Sequence, residues 1–373
     1  MEGRSISGNS TGKAFTITCF GESHGKLVGV TIDGCPAGLP LSMEDIQREL
    51  DKRRPGVSAY VTPRGEKDEA EVVSGIFKGK TTGAPITILI YNRDVDSTPY
   101  EELKDKPRPG HADYTARVRY GGYNDYRGGG RFSGRITAAY TAAGAVAKKL
   151  LGTINVETLA HAVQVGSVTL DREVTVEEIR RNVYANPVRC ADPDVAELMM
   201  REIKKAAEEG DSVGGVVEGL ALNVPPGWGF PIFDSLDADL ARMLFNIPGV
   251  KGVEFGSGFR AASMRGSENN DQYAIVNGKV VTTTNNSGGI LGGLSNGMPI
   301  KIRVAFKPPS SIRIPQRTVD LAEMKETVLE LKGRHDPCIV PRAVPVVESC
   351  IALVLADHAL RIGAIPQVLK SEH

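Results

Sequence analysis

Three histidines of this chain sit in turns. They are His24 in Phe20-Gly-Glu-Ser-His-Gly25, His111 in Pro107-Arg-Pro-Gly-His-Ala-Asp113, and His335 in Gly333-Arg-His-Asp-Pro337. An imidazole titrates near neutral pH and both gives and takes protons, so turn-sited histidines suit proton transfer at an open centre. The other three fit packing or solvent: His161 in a strand-like run, His358 in a late helix and His373 at the last position. Arginines accompany the turn histidines. Arg53, Arg54, Arg108, Arg127, Arg131, Arg135 and Arg334 lie on or beside the same loops. Their planar forks match carboxylate and phosphate oxygens two at a time, so the ligand expected is small and carries several negative charges. The stretch Arg127-Gly-Gly-Gly-Arg-Phe-Ser-Gly-Arg135 leads into a helix, whose free N–H groups also favour an anion. A second phosphorylated ligand is suited by Lys307-Pro-Pro-Ser-Ser311 at a strand end. Asn285-Asn-Ser-Gly-Gly-Ile-Leu-Gly-Gly293 lies upstream of it.

The elements that must position these groups are legible in outline. Phe15–Phe20, Leu27–Gly34 and Ile86–Asn92 read as strands, and Ala274–Thr284 as a hairpin turning at Asn277-Gly278. Ser42 reads as the cap of a helix ending near Arg53-Arg54-Pro55-Gly56, and Ser133 as the cap of an alanine-rich helix with Ile136, Tyr140, Val146 and Leu150 inward. Pro193 opens a third helix that stops at Gly210. Asp320–Gly333 is expected to form a helix, and Pro345–Leu360 the last long one. The order strand, Pro-x-Gly, helix, Gly-x-Pro-Ile strand and small-residue helix occurs twice. Residues 1–373 are therefore expected to form a single domain of two pseudo-repeat halves, roughly 15–155 and 210–361.

With 373 residues, the chain is long enough to bury about three quarters of its extended surface. Its 45 basic and 45 acidic side chains balance, which argues against a dedicated nucleic-acid or membrane-surface protein. No run of about 20 purely apolar residues offers a membrane span, and the polar first residues lack the apolar centre of a signal peptide. Five scattered cysteines without a C-x-x-C pair fit a reducing compartment and no zinc site, so the expected location is the cytoplasm.

Two rival chemistries are open to the same residues. A metal-dependent phosphohydrolase could use His111, Asp113, His335 and Asp336, but no helical histidine pair or carboxylate-rich shell is present and the neighbouring arginines repel a dication. An RNA-binding Arg-Gly element would ordinarily repeat, and here it occurs once in a neutral chain. No metal is expected. Neither a G-x-G-x-x-G after a strand nor a G-x-x-x-x-G-K-[ST] is found, so any cofactor is held without a standard nucleotide fingerprint.

Phe20–Gly25, Asp33-Gly-Cys-Pro-Ala-Gly-Leu-Pro-Leu41, Arg108–Thr115, Tyr126–Arg135, Asn285–Gly293 and Gly333–Val346 together resemble, in this order, the signature blocks of the chorismate synthase family. The resemblance runs from about Phe15 to about Arg361. It implies an α+β fold: a β-α-β sandwich with helices layered between antiparallel sheets and an internal pseudo-two-fold, assembled as a homotetramer. It also implies a lyase that converts 5-enolpyruvylshikimate 3-phosphate to chorismate and phosphate by anti-1,4-elimination, the last common step of the shikimate pathway. The resemblance further implies a requirement for reduced FMN without net redox change. NADPH-dependent flavin reduction, which some relatives perform, is not readable here, so an outside reductant is expected.

Residue by residue, the resemblance implies catalytic roles for His24 near the departing phosphate, His111 at the flavin and Asp336 in proton removal. Arg53, Arg108, Arg135 and Arg334 would grip the substrate. Arg131, Phe132, Ser133, Gly292, Lys307, Pro308, Pro309, Ser310, Ser311 and Arg334 would contact the flavin. Ala59 stands where many relatives carry arginine, leaving Arg64 or Arg54 to supply that charge. Phe132 replaces a frequent serine and so contributes mainly backbone. Pro248-Gly249 replaces a frequent Asn-Ala, and His335 has no assigned role.

Overall fold

The structure, a computed structural model, describes residues 8–54, 67–93, 97–101, 103–331 and 336–370. Its principal elements in the first part are β1 (Ser10–Thr11), β2 (Thr16–Gly21), β3 (Leu27–Asp33), α1 (Met43–Arg53), β4 (Ala70–Ser74), β5 (Ile86–Tyr91), α2 (Asp113–Tyr120) and α3 (Thr137–Gly152). Then come β6 (Glu157–Val165), β7 (Val168–Thr169), α4 (Pro193–Glu209), β8 (Gly215–Leu222), α5 (Leu236–Phe245), β9 (Val250–Phe255), β10 (Ile300–Phe306) and α6 (Val340–Arg361). Two five-stranded antiparallel sheets result, ordered β1-β2-β3-β5-β4 and β9-β10-β8-β6-β7.

Alternation drives both sheets. Val28, Val30 and Ile32, Ile86, Ile88 and Ile90, and Ile300, Ile302 and Val304 are all fully buried at every second position, so each sheet has one apolar face. Those faces are covered by helices: α3 packs on β3 and β5, α6 packs on β6 and β8, and α3 and α6 pack on each other. The fold is thus α+β, with a helical layer between two antiparallel sheets. In the first sheet β3 pairs with β5 and α1 packs on α3, and in the second β8 pairs with β10 and α5 packs on α6.

The helical layer is thin because its residues are small. Alanines fill α3, and at its crossing with α6 a Cβ on Gly144 would lie 2.3 Å from Ser349 Cβ. The Ser349 hydroxyl turns back onto the Pro345 carbonyl at 2.7 Å. Gly144→Ala is therefore expected to lower stability by about 1–3 kcal/mol, because overpacking the crossing outweighs the gain in helix propensity. A lowered urea midpoint at unchanged slope is the measurement. By length and apolar composition α6 could cross a membrane, yet its most apolar window is wholly buried inside the protein.

The caps expected at Ser42 and Pro193 are present, whereas Ser133 caps a short 3-10 turn, Gly134–Ile136, and the alanine-rich helix that follows starts after Ile136 without a side-chain cap. Ser42 forms a capping box with Asp45, Ser133 accepts from the Arg135 N–H, and Pro193 follows the capping Asp192. The Asn277-Gly278 hairpin forms with both residues at positive φ. One expected helix does not form. Asp320–Gly333 is no helix: Gln316–Asp320 and Lys325–Leu329 pair as a hairpin, and residues 332–333 lie outside the described residues. Asp320 causes the reversal, because its carboxylate accepts the N–H groups of Ala322 and Glu323 and nucleates a turn that outcompetes helix. The hairpin then braces the His111 loop through Thr318 Oγ1 to the Pro107 carbonyl (2.5 Å) and the Leu321 N–H to the Asp105 carbonyl (2.8 Å).

A candidate active site

A cleft of about 710 Å³ opens where the Glu22–Gly25 turn, the end of α1, the loops around His111 and Gly128–Ile136, the end of α5, the Phe306–Ser311 segment and the start of α6 meet. Seven cationic side chains line it among the described residues: Arg53, Arg108, Arg131, Arg135, Lys251, Lys307 and Arg342. Asp336 is the carboxylate on the wall, with Asp68 and Asp113 behind it, so seven cations face three carboxylates, an excess of four. Such a concave cationic site concentrates anions.

Both loop histidines rest on glycine. The Glu22–Gly25 turn closes with the Gly25 N–H on the Glu22 carbonyl, and the Ser23 N–H reaches the Gly130 carbonyl at 3.2 Å. His24 is buried, its Nδ1 lies 3.0 Å from Ser97 Oγ, and its ring stands edge-on to Tyr100 with centroids 5.0 Å apart. Gly128 and Gly129 have φ of +59° and +84°. A Cβ on Gly128 would lie 2.1 Å from the His24 ring, and one on Gly129 would lie 3.0 Å from the His111 ring. The glycine run is required both by its left-handed backbone and by the imidazoles pressed against it.

His111 belongs to a triad with Asp113 and Arg108. Asp113 Oδ1 lies 2.6 Å from His111 Nδ1, and the same carboxylate accepts from Arg108 Nε and Nη2 at 2.8 Å each. Burial opposes ionisation of Asp113, but the hydrogen bonds from Arg108 and His111 outweigh it and hold the carboxyl well below its usual range. Arg108 also donates to Ser311 Oγ (3.1 Å), while Ser310 Oγ donates to the Gly110 carbonyl (2.7 Å) and Lys307 Nζ to Ser310 Oγ (2.5 Å). Lys307-Pro-Pro-Ser-Ser311 is thereby laced to the His111 loop. Burial, with Lys251 nearby, pulls the Lys307 ammonium below its usual value.

Across the cleft, Arg53 at the end of α1 is only 1% exposed. It donates to Asp68 Oδ2 (2.7 Å), Thr137 Oγ1 (3.0 Å) and the Gly134 carbonyl (3.1 Å). The other oxygen of Asp68 accepts from Arg135. Burial raises the Asp68 carboxyl, but Arg53 and Arg135 overcome that and hold it below the ordinary range. Arg342 donates to Asp336 Oδ2 at 2.6 Å, and its buried Nε has no partner among the described residues. An orphaned guanidinium N–H at a cleft wall is a donor left for a ligand.

Of the residues singled out in the sequence, the cleft gathers His24, His111, Asp336, Arg53, Arg108, Arg131, Arg135, Phe132, Ser133, Lys307, Pro309, Ser310 and Ser311. Arg131 spends its donors on the Gly21 and Cys19 carbonyls and on Asn9, so it ties the loop to β2 as well. Phe132 packs its ring against Tyr120. Pro248 and Gly249 also line the wall. Arg127 is absorbed by Asp125, and Arg54 is an exposed neighbour of Asp51. Ala59, Arg64, Arg334, His335 and His373 lie outside the described residues. Pro308 does not line the cleft, and its carbonyl accepts from Lys307.

Gly292 is not among the lining residues, and the neighbouring Gly293 carbonyl accepts from the Leu236 N–H at the start of α5. The start of the Asn285–Gly293 loop is held by an acidic side chain. The Asn286 and Ser287 N–H groups donate to the Asp271 carboxylate at 2.7 and 2.8 Å. Sequence reasoning missed Asp68, Asn92 and Arg342. Arg342 stood within a quoted block, whereas Asp68 is one acid in a charged run and nothing local marks it. All five cysteines are buried and unpaired, and burial pushes the Cys19 and Cys35 thiols up to about 12, which makes them inert. Among the described residues no group of three or more His, Cys, Asp or Glu is arranged to hold a metal ion.

Comparison with known proteins supplies the wider setting. A profile of the family described as chorismate synthase matches residues 15–360. The chain is 56% identical over 364 residues to a chorismate synthase of Methanothermobacter thermautotrophicus, covering 97% of each chain. It is 54% identical to one of Dehalococcoides mccartyi, over 97% of this chain and 99% of the relative. A crystal structure of a chorismate synthase superposes with a TM-score of 0.75 at 32% identity, covering 94% of this chain and 93% of that one.

Proposed function

The chain belongs to the chorismate synthase family and is a lyase of the chorismate-forming class, and on that premise we propose that its cleft binds 5-enolpyruvylshikimate 3-phosphate together with reduced FMN. The observation that carries this reading is the cationic excess of the cleft, with two imidazoles set on its glycine floor. The proposed substrate bears a phosphate and two carboxylates, the charge such a wall complements.

Arg53, Arg108 and Arg135 hold the substrate's anions, a role also assigned to Arg334, which lies outside the described residues. His24 holds a proton for the departing phosphate, and His111, oriented by Asp113, serves the proton balance at the flavin. Asp336, steadied by Arg342, would assist proton removal at the flavin N5. Arg131, Phe132, Ser133, Lys307, Pro309, Ser310 and Ser311 fit a phosphorylated flavin: Lys307 supplies charge, and the Arg342 Nε–H is a buried donor in want of an acceptor. When bound, reduced FMN supplies electron density to a substrate whose hydrogen is too weakly acidic for a base alone. The metal-dependent alternative is disfavoured by Arg108, whose guanidinium donates to Asp113 and lies beside the His111 ring. The chain is further proposed to be a two-half pseudo-repeat that works as a cytoplasmic homotetramer and takes its electrons from an outside reductant.

An anaerobic assay with photoreduced FMN tests the proposal. Phosphate and chorismate are expected in equal amounts, with no turnover on oxidised FMN, none with NADPH as sole reductant, and full activity after exhaustive chelation. Phosphate release without flavin overturns the cofactor assignment, and loss of activity on chelation restores the metal reading.

A further inference from the structure

Asn92 follows β5 and stands behind the cleft wall without lining it. Its Nδ2 donates to the Glu22 carbonyl at 3.0 Å and to the Gly25 carbonyl at 2.8 Å, the two ends of the turn that carries His24. Its Oδ1 accepts from Arg135 Nε at 2.8 Å. An amide with its nitrogen facing two carbonyls and its oxygen facing a guanidinium has only one consistent orientation. The Asn92 backbone N–H adds a bond to the Lys26 carbonyl at 3.1 Å, so the residue is fixed to the strand after the turn as well. Arg135 is held from its other side by Asp68.

From this geometry we propose that Asn92 is a positioning residue whose side-chain amide sets the His24 turn in register with Arg135. The proposal rests on the reading above, in which His24 handles the proton and Arg135 grips the anion of one substrate. A proton donor and an anion clamp on separate loops act together only when their spacing is fixed, and a misplacement of about 1 Å costs on the order of 10²-fold. The Glu22–Gly25 turn is a four-residue loop with few backbone bonds of its own, so an external brace on both of its ends restricts it where its own hydrogen bonding does not.

The test is a double-mutant cycle between Asn92→Ala and His24→Ala, with turnover, KM and melting temperature measured on the full chain. Asn92→Ala is expected to lower kcat/KM about 30-fold in the wild-type background but less than about threefold beside His24→Ala, because coupled residues are not additive. Equal losses in both backgrounds mark a merely structural residue and overturn the proposal, as does an Asn92→Ala protein with unimpaired turnover. If Asn92→Ala does not purify folded, Asn92→Asp takes its place. It keeps the shape and the acceptor for Arg135 but sets a carboxylate oxygen against the Glu22 and Gly25 carbonyls, and the same non-additivity is expected. Wild-type turnover in His24→Ala alone sinks the functional reading of that histidine and this proposal with it, whereas an impaired His24→Ala with additive losses sinks this proposal only.

Discussion

Alanine at His24 or at His111 is expected to lower turnover by about 10²-fold or more while reduced flavin still binds. The two rings come from segments some ninety residues apart, yet they rest on consecutive glycines, Gly128 and Gly129. Each is fixed from another side as well, His24 by Ser97 and Tyr100 and His111 by Asp113. Groups held this tightly are placed for direction, which general acid–base catalysis needs and flavin affinity does not. The measurements are single-turnover phosphate release and a flavin binding titration on each variant. Near-wild-type release in both variants removes the histidines from the chemistry.

Asp68→Asn is expected to cost about 3–5 kcal/mol of stability and to raise KM for the substrate. The aspartate is 1% exposed and neutralises both Arg53 and Arg135. Asparagine can face only one of them with an acceptor, so the other guanidinium is left buried and uncompensated, and repulsion between the two spreads the wall that grips the ligand. Asp68 also sits at φ +50°, a backbone conformation that asparagine tolerates, so the loss reports charge and not backbone strain. Because the folded carboxyl is held below its ordinary value, its stabilisation is complete above the unfolded pKa of about 3.9 and is lost as pH falls below it. Urea midpoints for both proteins at pH 7 and pH 3.5 check the claim: the gap between them is expected to narrow in acid, and a constant gap refutes it.

Much of this architecture was readable from local pattern. Alternation marked the strands holding Val28, Ile88 and Ile302, and short-range chemistry marked the caps at Ser42, Ser133 and Asp192-Pro193 and the turn at Asn277-Gly278. The histidine- and arginine-bearing loops were visible because Gly, Pro and charge cluster there in sequence. What stayed hidden depends on partners distant along the chain. Asp68 is defined by guanidiniums 15 and 67 residues away, and Asn92 by a turn 67 to 70 residues before it. The Gln316–Leu329 hairpin was hidden for another reason. Leu-Ala-Glu-Met-Lys has strong helical propensity, and a single aspartate-capped turn overrides it once Thr318 and Leu321 find acceptors on the loop ahead of Arg108. The tie from Asp271 to Asn286 and Ser287 was hidden for the same reason as Asp68, since its two ends lie 15 and 16 residues apart.

The interior helix α6 also bears on how the protein is made. It is the latest of the long elements to leave the ribosome, and it fills the middle of the molecule, touching α1, α3, α5 and both β6 and β8. Until it emerges, the apolar faces that await it stay wet, and the nascent polypeptide can collapse but cannot lock. Synthesis halted before Val340 would therefore leave a sticky intermediate, and emergence of this helix would close the second sheet onto the helical layer in one cooperative event.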